Sequence, residues 1–334
     1  MIPFSILDLA PIGEGKTLVD ALKDCQAMAR QAEQCGYRRI WLAEHHGMRA
    51  VASSATAVML AHIGSVTSHI RLGAGGIMLP NHSPLVIAEQ FGTLAAMFPG
   101  RIDLGLGRAP GTDMDTMKLL QRNTNGGIED YPKEIQELQQ LLGEKHRDQT
   151  VIAVPGADSN VPLWLLGSSL YSAELAAKLG LPYSYASHFA PDQLIEALQL
   201  YRAGFKPSEQ RHKPYVMAGV MAVVADSDEE AQYLFTSVQQ QFINLRHGIN
   251  QPFPMPVEDM TSYWTLSEQA ILRHTLQYAV VGSAANVEQK LVRFIRHTQA
   301  NELILSVPIH NIQARLHTLE LVSQMDIMRK VKGD

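Results

Sequence analysis

Cysteine is almost missing: Cys25 and Cys35 are the only two among 334 residues. Both fall within one helical pattern, so they read as ordinary thiols in a reducing compartment and exclude a disulfide framework. No apolar run approaches the ~20 residues that span a bilayer. The N-terminus opens on a strand-like stretch with no leader-like segment, so the expectation is a soluble, cytoplasmic chain with no membrane contact. A positive balance is lacking as well: 28 Lys and Arg stand against 33 Asp and Glu, a net charge of −5, which leaves no basic footprint for nucleic acid. Low-complexity segments and short-period repeats are absent.

Several signatures of chemistry are missing too. No His-Xaa-His triplet supplies metal ligands from one strand face, and adjacent histidines on a strand point to opposite faces, which makes His45 and His46 poor joint ligands. No resident metal is expected. No lysine closes a predicted strand, which argues against a Schiff-base aldolase, and no Gly-Xaa-Ser-Xaa-Gly elbow is present. The glycines also fail the dinucleotide fingerprint: counted from Gly105 and Gly107 the third falls on Pro110, and counted from Gly73 and Gly75 it falls on Met78.

What remains is alternation. The pattern predicts strands over residues 3–8, 38–43, 70–74, 102–106, 162–166, 183–186, 215–224 and 303–307, with helices between them. The stretch 72–111 is the clearest unit: two strands ending in glycines, with a helix between them opened by Ser83 as N-cap and Pro84 at its first position. Eight alternating units over 46% hydrophobic sequence favour one domain, residues 1–334, folded as a (β/α)8 TIM barrel. Insertions are expected after strands 4 and 7, at about residues 110–130 and 247–280, and both are lid candidates.

In such barrels the active site lies at the C-terminal ends of the strands. Glu44, His45 and His46 follow the second strand, Arg108 the fourth, and Ser168, Ser169 and Ser172 the fifth. Strands four and five are neighbours, so an arginine and a hydroxyl-bearing helix N-terminus can converge on a phosphate; simple helix capping by the serines is the plainer alternative. His82 and His188 also follow strands, His82 reading as a capping or packing residue and His188 as a candidate pocket residue. Met78 and Met97 read as core.

Four segments in order are similar to one family. Residues 41–46 (Trp-Leu-Ala-Glu-His-His), 75–80 (Gly-Gly-Ile-Met-Leu-Pro), 105–108 (Gly-Leu-Gly-Arg) and the helix start at 168–177 resemble the bacterial luciferase-like flavin-dependent monooxygenases, and segments 79–90 and 101–111 resemble the YhbW-type branch. The resemblance implies a barrel that binds reduced FMN delivered by a separate flavin reductase and uses O2 as co-substrate to oxygenate a small organic substrate, often an aldehyde. It implies catalytic roles for His45 and Glu44, with Glu44 near the flavin, and a non-proline cis peptide at Gly75-Gly76 against the ring. By the same resemblance Arg108 and Ser172 match phosphate ligands, Ser168 and Ser169 match residues lining the same loop, and a homodimer through the second and third helices is implied. Gly107 and Ser168 stand where luciferase has a cysteine and a glutamate, so luciferase's own substrate and light emission do not carry over. A hydride-transferring oxidoreductase using FMN or a deazaflavin, and a non-catalytic flavin carrier, are the alternative readings.

Overall fold

The computed structural model describes residues 2–109, 114–120, 130–145 and 149–329. Its strands are β1 (Phe4–Asp8), β2 (Arg39–Leu42), β3 (Arg71–Met78), β4 (Ile102–Gly107), β5 (Leu163–Gly167), β6 (Tyr183–Tyr185), β7 (Val216–Ala225), β8 (Val280–Ser283) and β9 (Glu302–Ser306). All pairings between named strands are parallel, in the order β6-β5-β4-β3-β2-β1-β9-β7-β8, and a β6–β7 pairing closes eight of them into a barrel. Around it lie α1 (Leu18–Gln34), α2 (Thr56–Gly64), α3 (Pro84–Met97), α4 (Met114–Leu120), α5 (Tyr131–Leu142) and α6 (Leu170–Leu179). The second half adds α7 (Leu194–Gly204), α8 (Asp228–Arg246), α9 (Leu266–Thr275), α10 (Ala284–Thr298) and α11 (Ile312–Ser323).

The fold class is therefore the expected TIM barrel, with one strand more than the alternation predicts. β8 pairs only with Ala222–Ala225, the end of β7 that overhangs the barrel. The expected pattern leaves β8 unassigned, between the second insertion at about 247–280, which contains α9, and the helix that follows. The first insertion holds α4, while residues 110–113 and 121–129 lie outside the described residues. Ser83 sits at the N-cap of α3 in extended backbone, but its side chain makes no capping bond, contrary to expectation. α1 shows the stronger device: the Thr17 hydroxyl accepts from the Asp20 N–H while the Asp20 carboxylate accepts from the Thr17 N–H. Cys25 and Cys35 are both free and buried. No described helix is long and apolar enough to cross a membrane.

The period-2 alternation of each strand fills the barrel in layers. At the N-terminal end, Arg39 donates to Asp103 at 2.6 Å and to the two Glu302 oxygens at 2.8 and 3.2 Å. The Tyr215 hydroxyl and Ser5 also donate to Glu302. All four charge-bearing or hydroxyl partners on the strands, Ser5, Arg39, Asp103 and Glu302, are buried, so every buried charge has an opposite partner. Above this plug lies an apolar layer of Leu7, Trp41, Trp164, Met217 and Ile304. Trp41 and Trp164 meet edge to face at 5.2 Å, and the indole of Trp41 occupies the place where a side chain at position 73 would be, 2.4 Å from an ideal Cβ on Gly73. The floor of the barrel is therefore closed, and among the described residues the cavity in the barrel opens at its C-terminal mouth.

Candidate active site

That space is a cavity of about 430 Å3 at the C-terminal mouth, within the ~300–1,000 Å3 typical of small-molecule sites. Its wall is mostly apolar. β1 contributes Leu7, β3 contributes Gly75, Gly76 and Met78, β5 contributes Leu166, and the ends of β2 and β6 bring His45 and His188. Phe242 and Leu245 of α8 and Phe253 from the second insertion cover it. Phe253 is held in place by backbone bonds, its N–H to the Ile12 carbonyl and its carbonyl to the Glu14 N–H. The segment read as a lid candidate thus closes part of the mouth.

Alternation sorts the residues after β2. Ala43 and His45 line the cavity, whereas Glu44 and His46 point the other way. Glu44 is buried; its Oε1 accepts from Nε2 of His46 and of His82, each at 2.8 Å, and its Oε2 accepts from the Met78 N–H at 3.1 Å. Burial pushes the carboxyl up, but His82, His46 and the Met78 N–H outweigh it and hold Glu44 below the usual carboxylate range. Glu44 therefore supports the end of β3 and does not touch the cavity. The ligand atoms of Glu44, His46 and His82 lie within 4.8 Å of one another, a spacing a cation could use. Hydrogen bonds account for this arrangement without an ion. The pairing weighed on sequence, His45 with His46, is not the one found, and His82 is a partner of Glu44 rather than a pocket residue.

The Gly75–Gly76 peptide at the cavity wall is cis, as the resemblance implies. A side chain is excluded at Gly76, where an ideal Cβ would meet the Gly105 carbonyl oxygen at 2.8 Å; one on Gly75 would meet the tip of Leu7 at 2.8 Å and require that side chain to move.

The second predicted group forms beside the cavity, at the ends of β4 and β5. Ser169 is the N-cap of α6, its hydroxyl accepting from the Ser172 N–H. Ser172 Oγ contacts the Tyr183 hydroxyl at 2.9 Å and donates to the Ser169 carbonyl at 2.8 Å, while the Tyr185 hydroxyl donates to the Ser168 carbonyl at 3.1 Å. Two tyrosines of β6 thereby fix the start of α6. Arg108 reaches the same place, its guanidinium 4.3 Å from the Tyr171 ring centre. Tyr131 of α5, whose buried hydroxyl has no hydrogen-bond partner among the described residues, lies within electrostatic reach of Arg108 and Tyr171. Neither tyrosine was singled out from sequence, because nothing in their spacing relates them to Arg108. Asp8 and Arg315 were likewise missed. They form a buried 2.7 Å ion pair at the cavity wall, between chain ends 307 positions apart.

A parallel barrel with a mostly apolar cavity at the C-terminal ends of its strands has the architecture of a small-molecule site. Residues 2–300 match the family model of luciferase-like monooxygenases, and the chain belongs to that family of oxidoreductases. It is 48% identical over 332 residues, 99% of this chain and 98% of the other, to the luciferase-like monooxygenase of Escherichia coli strain K12. Among solved structures, apo-MsnO8 superimposes with a TM-score of 0.86 at 31% identity, covering 97% of this chain and 98% of that one. The oxygenating constituent of 3,6-diketocamphane monooxygenase from Pseudomonas putida, in complex with FMN, shares the fold with a TM-score of 0.72 at 16% identity, covering 98% of each chain.

Proposed function

We propose that this protein is a monooxygenase that binds reduced FMN supplied by a separate flavin reductase and oxygenates a small, mainly apolar organic substrate with O2. The carrying observation is the adjacency of two sites: a mouth cavity lined by His45 and Gly75-Gly76, and the Arg108–α6 start beside it. Bound reduced FMN would supply the reaction with O2. Arg108 and the hydroxyls and N–H groups at the start of α6 would hold the phosphate, and the partnerless Tyr131 hydroxyl adds a donor nearby. Gly75 and Gly76 would offer a flat backbone surface to the ring. The apolar wall and Phe253 would exclude water. His45 would hold or move the proton at the reacting end, a role for which imidazole is suited. Exposed Val58 on α2 and Val86 and Met97 on α3 fit the proposed homodimer face, and the cytoplasm is the proposed compartment.

Flavin titration followed by fluorescence tests this reading. FMN should bind more tightly than riboflavin, and Arg108→Ala should weaken FMN by about tenfold or more, since a hydrogen bond to a charged group contributes ~1.5–3 kcal/mol. Equal FMN affinity in wild type and variant would remove Arg108 from the site.

A further inference from the structure

His188, like Gln241, is a polar cavity residue for which the flavin reading has no role. It follows β6 and lines the mouth together with His45. Its Nδ1 is buried and has no hydrogen-bond partner. That nitrogen packs onto the backbone of Gly219, where an ideal Cβ would lie only 2.3 Å from it. Phe189 packs edge to face on the same ring at 4.7 Å, and the Ser187 hydroxyl next in the chain is tied to the Gly219 carbonyl at 2.7 Å. The ring is therefore held in one orientation, with Nδ1 sealed against β7 and Nε2 left as the nitrogen on the cavity side.

The sealed nitrogen decides the tautomer. A buried N–H without an acceptor is rarer and more costly than a buried lone pair without a donor. The proton of a neutral His188 therefore belongs on Nε2. Burial, with a smaller contribution from the charge of His45, pushes the imidazole down to about 4, so it is neutral across the physiological range. A neutral ring protonated on Nε2 can donate one hydrogen bond into the cavity. It cannot accept a proton there, and it carries no charge to repel a ligand.

We propose that His188 is a substrate-binding residue that donates its Nε2–H to an oxygen acceptor, a carbonyl above all, on an otherwise apolar substrate. This divides the labour between the two histidines: His45 manages protons, while His188 holds one end of the substrate without exchanging one. A compound with an apolar body and an acceptor for the Nε2–H matches the mostly apolar wall, whereas a pure hydrocarbon leaves the Nε2–H unsatisfied and binds less well. The assignment rests on reading this cavity as the substrate site.

Two measurements on the full chain test it. In protein labelled with 15N-histidine, two-bond proton–nitrogen correlations report the tautomer directly. The expected pattern for His188 is Nε2–H, unchanged from pH 5 to pH 9, with the Nε2 resonance moving on addition of 2-decanone and not of decane. An Nδ1–H pattern, or titration near the ordinary histidine value, overturns the proposal. In the second measurement, 2-decanone binding should weaken about tenfold in His188→Leu and be largely restored in His188→Gln, whose amide places an N–H near the lost Nε2. Equal binding in all three proteins overturns it. FMN titration of the same samples separates the two readings: lost FMN binding in wild type would sink the flavin assignment, while the tautomer and ketone results would still decide the role of His188.

Discussion

His45 and His188 face one cavity but differ in what surrounds them, and that difference yields two predictions. If His45 handles the proton at the reacting end, His45→Ala should keep FMN affinity yet divert oxygen use to hydrogen peroxide, measured as peroxide released per O2 consumed. Unchanged product yield would leave His45 a structural residue. His188 makes folding itself sensitive to acid. Its ordinary value is 6.5 and its folded value about 4, so above 6.5 neither state takes a proton and the residue is silent. As pH falls from 6.5 to 4 the unfolded chain gains a proton that the folded chain refuses, and stability drops by up to about 3 kcal/mol. Among the other titratable groups at the cavity, Asp8, Arg315, Tyr185 and His45, only His45 adds to the depression. Urea midpoints across this range should fall for wild type and stay flatter for His188→Gln; parallel curves would contradict the burial argument. Glu44 acts lower: its stabilisation is present above the ordinary carboxylate value and is lost as pH falls through its depressed folded value. The same residues show what sequence could reveal. Period-2 alternation after β2 already separates His45 from Glu44 and His46, but no spacing shows that Gly219 seals one nitrogen of His188, because α7 separates the two residues in sequence and they meet only when β6 pairs with β7.

At the scale of elements, strands with clear apolar runs were legible, and their predicted ends lie within a few residues of the observed ones. β3 runs on through Gly75 and Gly76 to Met78, because register with β4 is re-established at Ile77–Leu106 after the cis peptide. β8 was not legible. It is four residues long, leads straight into α10, and pairs only with the overhang of β7. The clue was the ten-residue buried run of β7, longer than the other strands around the barrel. The ion network at the N-terminal end was equally hidden, since Arg39, Asp103 and Glu302 meet only when the barrel closes. Removing Arg39 leaves Glu302 without its buried guanidinium, whereas Asp103 keeps Arg71 at 2.6 Å. Arg39→Met should therefore cost roughly 3–5 kcal/mol in urea unfolding, with part recovered by adding Glu302→Gln. A cost below about 1 kcal/mol would show that the plug is not what closes the barrel floor.

For the molecule as a whole, the division is between a closed floor and an open mouth. Buried ion pairs and an edge-to-face pair of tryptophans fill one end of the barrel, and the cavity lies at the other, where α8 and the second insertion narrow the entrance. Alternation was enough to predict the barrel and the end at which chemistry occurs, and the family resemblance pointed to Arg108 and the start of α6. The mostly apolar wall could not be read in advance, because it draws on almost every strand and on residues from Leu7 to Arg315. The central claim is that this mouth holds reduced FMN for reaction with O2. The most direct measurement is anaerobic mixing of the protein with reduced FMN, followed by O2 in a stopped-flow spectrometer. The prediction is that reduced FMN is retained at micromolar concentration and that its reoxidation follows a time course different from that of free flavin. Reoxidation indistinguishable from free reduced FMN at saturating protein would contradict it.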